Sequence, residues 1–180
     1  MRPELVLAGL VALAVLGTGV AVAHGNHATA SSQMSANGTV VVEEAFLSTP
    51  GYLVLRTDDG GEPGRIVGVR ALDRGRHVGV TVRAEPAFWT NVSGTTTLWA
   101  VVHADAETDD GGFDPAADTL RRWFGGPAGQ RLTVARGDRS ASVVTRGAGR
   151  LEDGSVPVVA ATLPDRGHLV AHVVENDTLA

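Results

Sequence analysis

Apolar positions along this chain fall into two kinds of run, one long and unbroken, the other short and repeatedly interrupted. The long run, LVLAGLVALAVLGTGVAVA at 5–23, carries no charge and has no polar face, so a helix built from it has no side to turn toward water. That pattern predicts an N-terminal hydrophobic helix used for export. It is either a signal peptide, because Ala21-Val22-Ala23 suits cleavage before His24, or a membrane anchor, because the run approaches the ~20 residues that cross a bilayer. A Ser-, Ala- and His-rich stretch at 24–36 follows and reads as a linker.

From 37 onward the runs have strand length and are separated by Gly, Pro, Asp and Asn. The pattern predicts strands over 39–47, 52–57, 65–72, 77–83, 96–103, 131–135, 142–146, 155–163 and 168–175. Alternation is plainest in His77-Val78-Gly79-Val80-Thr81-Val82-Arg83, which predicts the three valines on one inward face. No amphipathic helix of crossover length separates these runs, so the expected fold is all-β: an immunoglobulin-like antiparallel β-sandwich over 37–137. One short helix is expected inside a loop, at 114–125. Asp114 would cap it, Pro115 would open it and Gly125 would close it, while Leu120, Trp123 and Phe124 plug the core.

A shift of 116 residues superposes part of the chain on itself. Gly38, Val40, Val42, Ala45, Leu47, Gly51, Leu53 and Val54 fall on Gly154, Val156, Val158, Ala161, Leu163, Gly167, Leu169 and Val170. Both the glycines and the apolar columns recur at one spacing, which predicts an internal duplication. Residues 138–180 are then a partial repeat holding one β-hairpin. An isolated hairpin is marginal in water, so it is expected first to dock on the sandwich, the alternatives being exchange with another molecule, giving self-association, or a remnant of a second module.

Composition narrows the function classes. Fifteen basic against 20 acidic residues leave a net charge of −5, which excludes a broad basic footprint for nucleic acid. There is no cysteine, so disulfides, thiolate metal sites and thiol nucleophiles are excluded and stability must come from packing. Three of the Asn residues, Asn37, Asn91 and Asn176, stand in N-x-S/T tripeptides. Chance predicts about half of one such acceptor at this Ser and Thr content, so all three are candidate glycosylation sites and fit an exported chain.

The stretches GTVVVEEAFLSTPGYLVLR, IVGVRALDRGRHVGVTVR and TTLWAVVHADAETDDGGFD together resemble a haloarchaeal surface-protein domain of unknown function. The matching features are Gly51 between paired runs, Leu72 and Gly75 at a turn before a Val-x-Val strand, and Ala100, His103 and Asp105 at a strand end. The resemblance spans 37–134 and restarts near 142. It implies an immunoglobulin-like module, often repeated in exported proteins, and it implies no activity.

Candidate chemistry is sparse. His103, Asp105 and Asp109 are the best-placed group for a divalent cation, since His103 and Asp105 share strand parity and the acidic loop follows. The loop departs from a calcium-binding pattern, because its Gly falls one position late and Ala116 stands where a bidentate Glu belongs. His168 and His172 lie ~13 Å apart along a strand, too far for one ion. No nucleophile elbow, phosphate loop or zinc-protease motif occurs, so no catalytic residue and no cofactor is expected. The expected role is that of a non-catalytic module, structural or adhesive, at the cell surface, with envelope components as partners and the membrane as a further partner if 1–23 is retained. The alternative is an extracellular module that binds carbohydrate, peptide or cation through the 105–118 loop and Trp89, Trp99 and Trp123.

Overall fold

The computed structural model describes residues 25–106, 112–146 and 155–170, with the backbone of 174–175 and 178–179. The apolar run at 5–23, Asp109 and Asn176 lie outside these residues, as does His172. The elements are β1 (His27–Thr29), β2 (Gln33–Ser35), β3 (Thr39–Leu47), β4 (Gly51–Asp59), β5 (Glu62–Leu72), β6 (Gly75–Arg83), α1 (Pro86–Trp89), β7 (Thr95–Ala104), β8 (Arg122–Trp123), β9 (Gly126–Pro127), β10 (Gly129–Arg136), β11 (Ser142–Thr145), β12 (Val158–Thr162), β13 (Val174–Glu175) and β14 (Thr178–Leu179). Apart from one helical turn, the described chain is all-β.

Two sheets enclose the core. One has three strands in the order β1-β3-β6, the other five in the order β2-β10-β7-β4-β5. Val40, Val42, Val80 and Val82 from the first meet Leu53, Leu55, Leu98, Val102 and Val134 from the second in a single apolar cluster. All pairings in these sheets are antiparallel except β10 with β2.

The stretch expected as a linker is part of both sheets. β1 pairs with β3, setting Ala28 beside Ala45, and β2 pairs with β10, setting Met34 beside Ala135. Gln33 is buried and bonds both backbone groups of Val41, donating from Nε2 to its carbonyl at 2.8 Å and accepting its N–H at 2.8 Å. A side chain thereby ties one sheet to the other. Strands of three residues are too short to show a period, so their composition read as linker.

Inward parity switches partway along β3 and β6. Val40 and Val42 are fully buried, and so are Ala45 and Leu47, although the two pairs differ in parity. The expectation that Val78, Val80 and Val82 share one inward face fails at Val78, which is 39% exposed. Gly79, with φ +66, supplies the reason: a left-handed residue inside a strand rotates the pleat, and glycine adopts it freely. Glu43, opposite this break, is turned inward and buried, accepting hydrogen bonds from the Ser31 hydroxyl and from Thr145 Oγ1, the latter at 3.0 Å. That carboxylate fastens β11 to the domain.

The helix expected at 114–125 is absent, and the observed helix is Pro86–Trp89. Asp114 does cap a turn, accepting the Ala116 N–H, and the Asp118 N–H bonds the Asp114 carbonyl. The turn stops there, because Asp118 holds the N–H groups of Ala106 and Asp114 and the chain then extends onto β7. Phe124 and Gly125, at φ +47 and +84, form the two-residue turn of the β8–β9 hairpin, a geometry that matches strand twist. Phe124 consequently points to solvent at 86% exposure instead of plugging the core.

The repeated sequence does not produce a repeated structure. In the first copy, β3 and β4 are not a hairpin, because they lie in opposite sheets. Val40, Val42, Ala45, Leu47, Leu53 and Val54 are each 0 or 1% exposed there. In the second copy, β12 pairs with β11, residues 163–170 form no strand, and Val158, Leu163, Leu169 and Val170 are 42 to 62% exposed. Gly51 is needed where β4 passes close to the carbonyl of His103, whereas Gly167 has open space around it. The expected pairing of 155–163 with 168–175 is not found among the described residues; β12 pairs instead with β11, which bonds to the domain at Glu43 and, through the preceding Ala141, at Met34.

Matched columns should respond unequally to truncation. Leu53→Ala is expected to cost ~3 kcal/mol by cavity formation. Leu169→Ala is expected to cost less than about 0.5 kcal/mol, as at ordinary surface positions. Urea unfolding of the two variants measures both, and equal losses would show that residues near 169 are buried in the native protein.

Candidate functional site

The outer face of the five-stranded sheet carries the polar chemistry that the sequence singled out. Antiparallel pairing of β4 with β7 sets Tyr52 beside His103, Val54 beside Val101 and Arg56 beside Trp99. Alternation sends these six side chains away from the main core. Tyr52, Val54 and Val101 form a second buried cluster there, covered by Ile66, Trp99, Phe113 and Leu120. Residues 112–120 are the lid over this cluster. Asp118, 1% exposed, holds the lid by accepting the Ala106 N–H at Oδ1 and the Asp114 N–H at Oδ2, each at 2.8 Å. The Phe113 ring meets Tyr52 and His103 edge-on, with centroids 5.1 and 5.5 Å away.

His103 is 3% exposed and uses both ring nitrogens. Nδ1 donates to the Asp118 carbonyl at 2.8 Å, which leaves Nε2 as the acceptor facing Arg56 Nη1 at 3.4 Å. Burial pushes the pKa of the imidazole down, the Asp118 carbonyl opposes that shift, and the Arg56 charge adds to it. Desolvation also lowers the pKa of Arg56, whose Nε donates to the Gly64 carbonyl at 2.6 Å. A cation on His103 would have to displace either the guanidinium or the carbonyl. Asp105, two residues on, instead lines a groove of about 210 Å³ with Tyr52, Leu72 and Asp73. Among the described residues no group of three or more His, Asp or Glu is gathered to hold a metal ion.

The three tryptophans do not form a platform. Trp89 is buried beneath the β2–β3 turn, its ring against Gly38. Trp99 is partly buried and donates from Nε1 to Asp58 at 2.9 Å, a carboxylate that Arg131 also grips. Trp123 is 37% exposed at the opposite end of the domain from Trp89. A larger groove, about 330 Å³, lies beside α1 and is lined by Arg65, Phe88, Asn91, Ser93 and Thr96.

Asn37 and Asn91 are both exposed and lie at one end of the domain. Asn37 Oδ1 accepts the Thr39 N–H at 3.0 Å, and Asn91 Nδ2 donates to the Ala87 carbonyl at 2.7 Å. Two structurally important residues escaped sequence reading. Glu43 sits in a Glu-Glu pair that reads as solvent-facing, and Asp118 sits among loop acids. Parity counted backward from Ala45 and Leu47 would have turned Glu43 inward, but no local signal marks Asp118.

Residues 26–122 match the family described as Domain of unknown function (DUF7282), a span that opens at the start of β1 and so takes in both strands of the expected linker. No curated protein and no solved structure matches the chain.

The buried imidazole predicts a pH response. Its folded pKa lies below the ordinary 6.5, so the unfolded chain binds the proton first and stability is lost as pH falls below that value. The denaturation midpoint of the native protein should fall between about pH 7 and pH 5, and His103→Gln should flatten that fall even though it lowers the midpoint throughout. Parallel profiles for the two proteins would show that His103 does not carry the response.

Proposed function

The chain belongs to the DUF7282 family of domains of unknown function, and from that premise we propose that it is a non-catalytic module exported to the cell surface, with a structural or adhesive role. The observation that carries this reading is the use made of the chemically capable side chains. His103 and Asp118 are buried and hold the lid onto the sheet, and Tyr52, also buried, meets the smaller groove only at its edge. A buried histidine with both nitrogens engaged is poorly positioned to move a substrate proton. The apolar run at 5–23 and the three N-x-S/T sites supply the export part of the reading. The finer picture is an immunoglobulin-like sandwich of the haloarchaeal surface type, with glycans at Asn37 and Asn91 facing outward from one end and envelope components as partners.

Binding through the 105–118 loop is the competing reading. It has Asp105 and Asp73 at the smaller groove in its favour. Against it stands the lid's own packing, since the residues from Phe113 to Leu120 are occupied in covering Tyr52 and His103.

Mass spectrometry of the native protein from an envelope fraction tests the proposal. The expected result is glycan mass on peptides containing Asn37 and Asn91, together with a settled N-terminus, either cleaved before His24 or intact. Recovery of an unmodified, full-length chain in the cytosolic fraction would overturn it.

A further inference from the structure

The two ends of the domain differ. At one end lie Asn37, α1, Asn91 and Gly94, held together by backbone bonds from Ala84 to Gly38 and from Arg136 to Gly94. At the other lie the β3–β4 connection, the lid and the β8–β9 hairpin, because Leu47 pairs at the far end of β3 and Ala104 at the far end of β7. Nine residues of β3 separate the ends by roughly 30 Å. The described chain begins at this second end. Asn26 accepts hydrogen bonds from Ser48, and Gly25 is buried beneath the indole of Trp123, where any side chain on Gly25 would collide with the ring.

Beside that entry point stands the most exposed large apolar side chain among the described residues. Phe124 is 86% exposed, packs its ring edge-on against Trp123 at 5.0 Å, and adopts φ +47, a conformation that favours Gly or Asn. Among the described residues the ring contact recorded for Phe124 is the one with Trp123. Arg121 and Arg122 precede the pair, and Arg122 Nη1 donates to the Gly125 carbonyl at 3.2 Å. An aromatic pair at a hairpin turn, preceded by two arginines, suits a surface that meets lipid headgroups.

Chain length ties this surface to a membrane. If 5–23 crosses a bilayer, Gly25 follows its last residue by two peptide units, which reach about 7 Å at most. Trp123, in contact with Gly25, is then held at the headgroup level. We infer that Trp123 and Phe124 form an aromatic foot that rests in the lipid interface beside the N-terminal segment, orienting the domain upright with Asn37 and Asn91 at the distal end. The foot rests on the reading of 5–23 as a retained anchor.

The test uses the full chain reconstituted in vesicles of phosphatidylcholine with a minority of phosphatidylglycerol, with and without brominated phosphatidylcholine. Trp89 is buried at the distal end and Trp99 is partly buried on the sheet face with its Nε1 bonded to Asp58, so the part of the tryptophan quenching that Trp123→Phe removes reports on Trp123. The expected results are co-flotation of the chain with vesicles, quenching by brominated lipid, loss of most of that quenching in Trp123→Phe, and reduced quenching in Phe124→Asn, which suits the turn and leaves thermal unfolding unchanged or raised. Co-flotation with quenching no greater than that of Trp123→Phe would overturn the foot and leave the anchor standing. A chain that does not float with vesicles would overturn the anchor and the foot with it.

Discussion

Everything in this molecule depends on one apolar layer, the contact between a three-stranded and a five-stranded sheet. With no cysteine to cross-link the chain, burial of Val, Leu and Ala between the sheets is the main stabilising term. Each fully buried Val or Leu contributes about 1.5–3 kcal/mol relative to exposure. Surface charges add little beside that. Arg76 donates to Glu44 at 2.6 Å and, as the largest influence, holds its carboxyl below the usual range, with burial opposing and His27 assisting. The Arg76 side chain is 47% exposed, however, so such a pair is worth about 1 kcal/mol or less.

Polar side chains within the fold act as fasteners. Gln33 joins the sheets through Val41, Glu43 holds β11, and Asp118 holds the lid, each by giving backbone or hydroxyl groups the partners that burial would otherwise deny them. His103 belongs to the same class. Its Nδ1–H satisfies the Asp118 carbonyl, and burial lowers the pKa of the ring. One set of contacts thus accounts for both the burial of the histidine and the engagement of its two ring nitrogens.

The packing also gives the domain a direction. Chain entry, the lid and the exposed aromatic hairpin share one end, while the described N-x-S/T asparagines share the other. The hydrogen-bonded strands run from one end to the other, so whatever fixes one end orients the other. The C-terminal ribbon stands apart from this scheme. β12 touches the domain mainly through β11, and its apolar residues face water.

The sequence by itself determined the all-β character and the placement of most strands, because period and punctuation are local properties of the chain. Thr39–Leu47 was legible to the residue, and β4 to β7 and β10 nearly so. It also determined that the chain has no cysteine and a net charge of −5. Only the tertiary structure decided which apolar columns are buried, since Leu53 and Leu169 carry the same local pattern and differ in having a facing sheet. It decided, too, that 112–120 is a lid and not a helix. Asp118 could outcompete helical hydrogen bonding only because Ala106, twelve residues away in sequence, presents its N–H alongside. Local spacing carries propensity, whereas burial and hydrogen-bond partners belong to pairs of residues that the fold alone brings together.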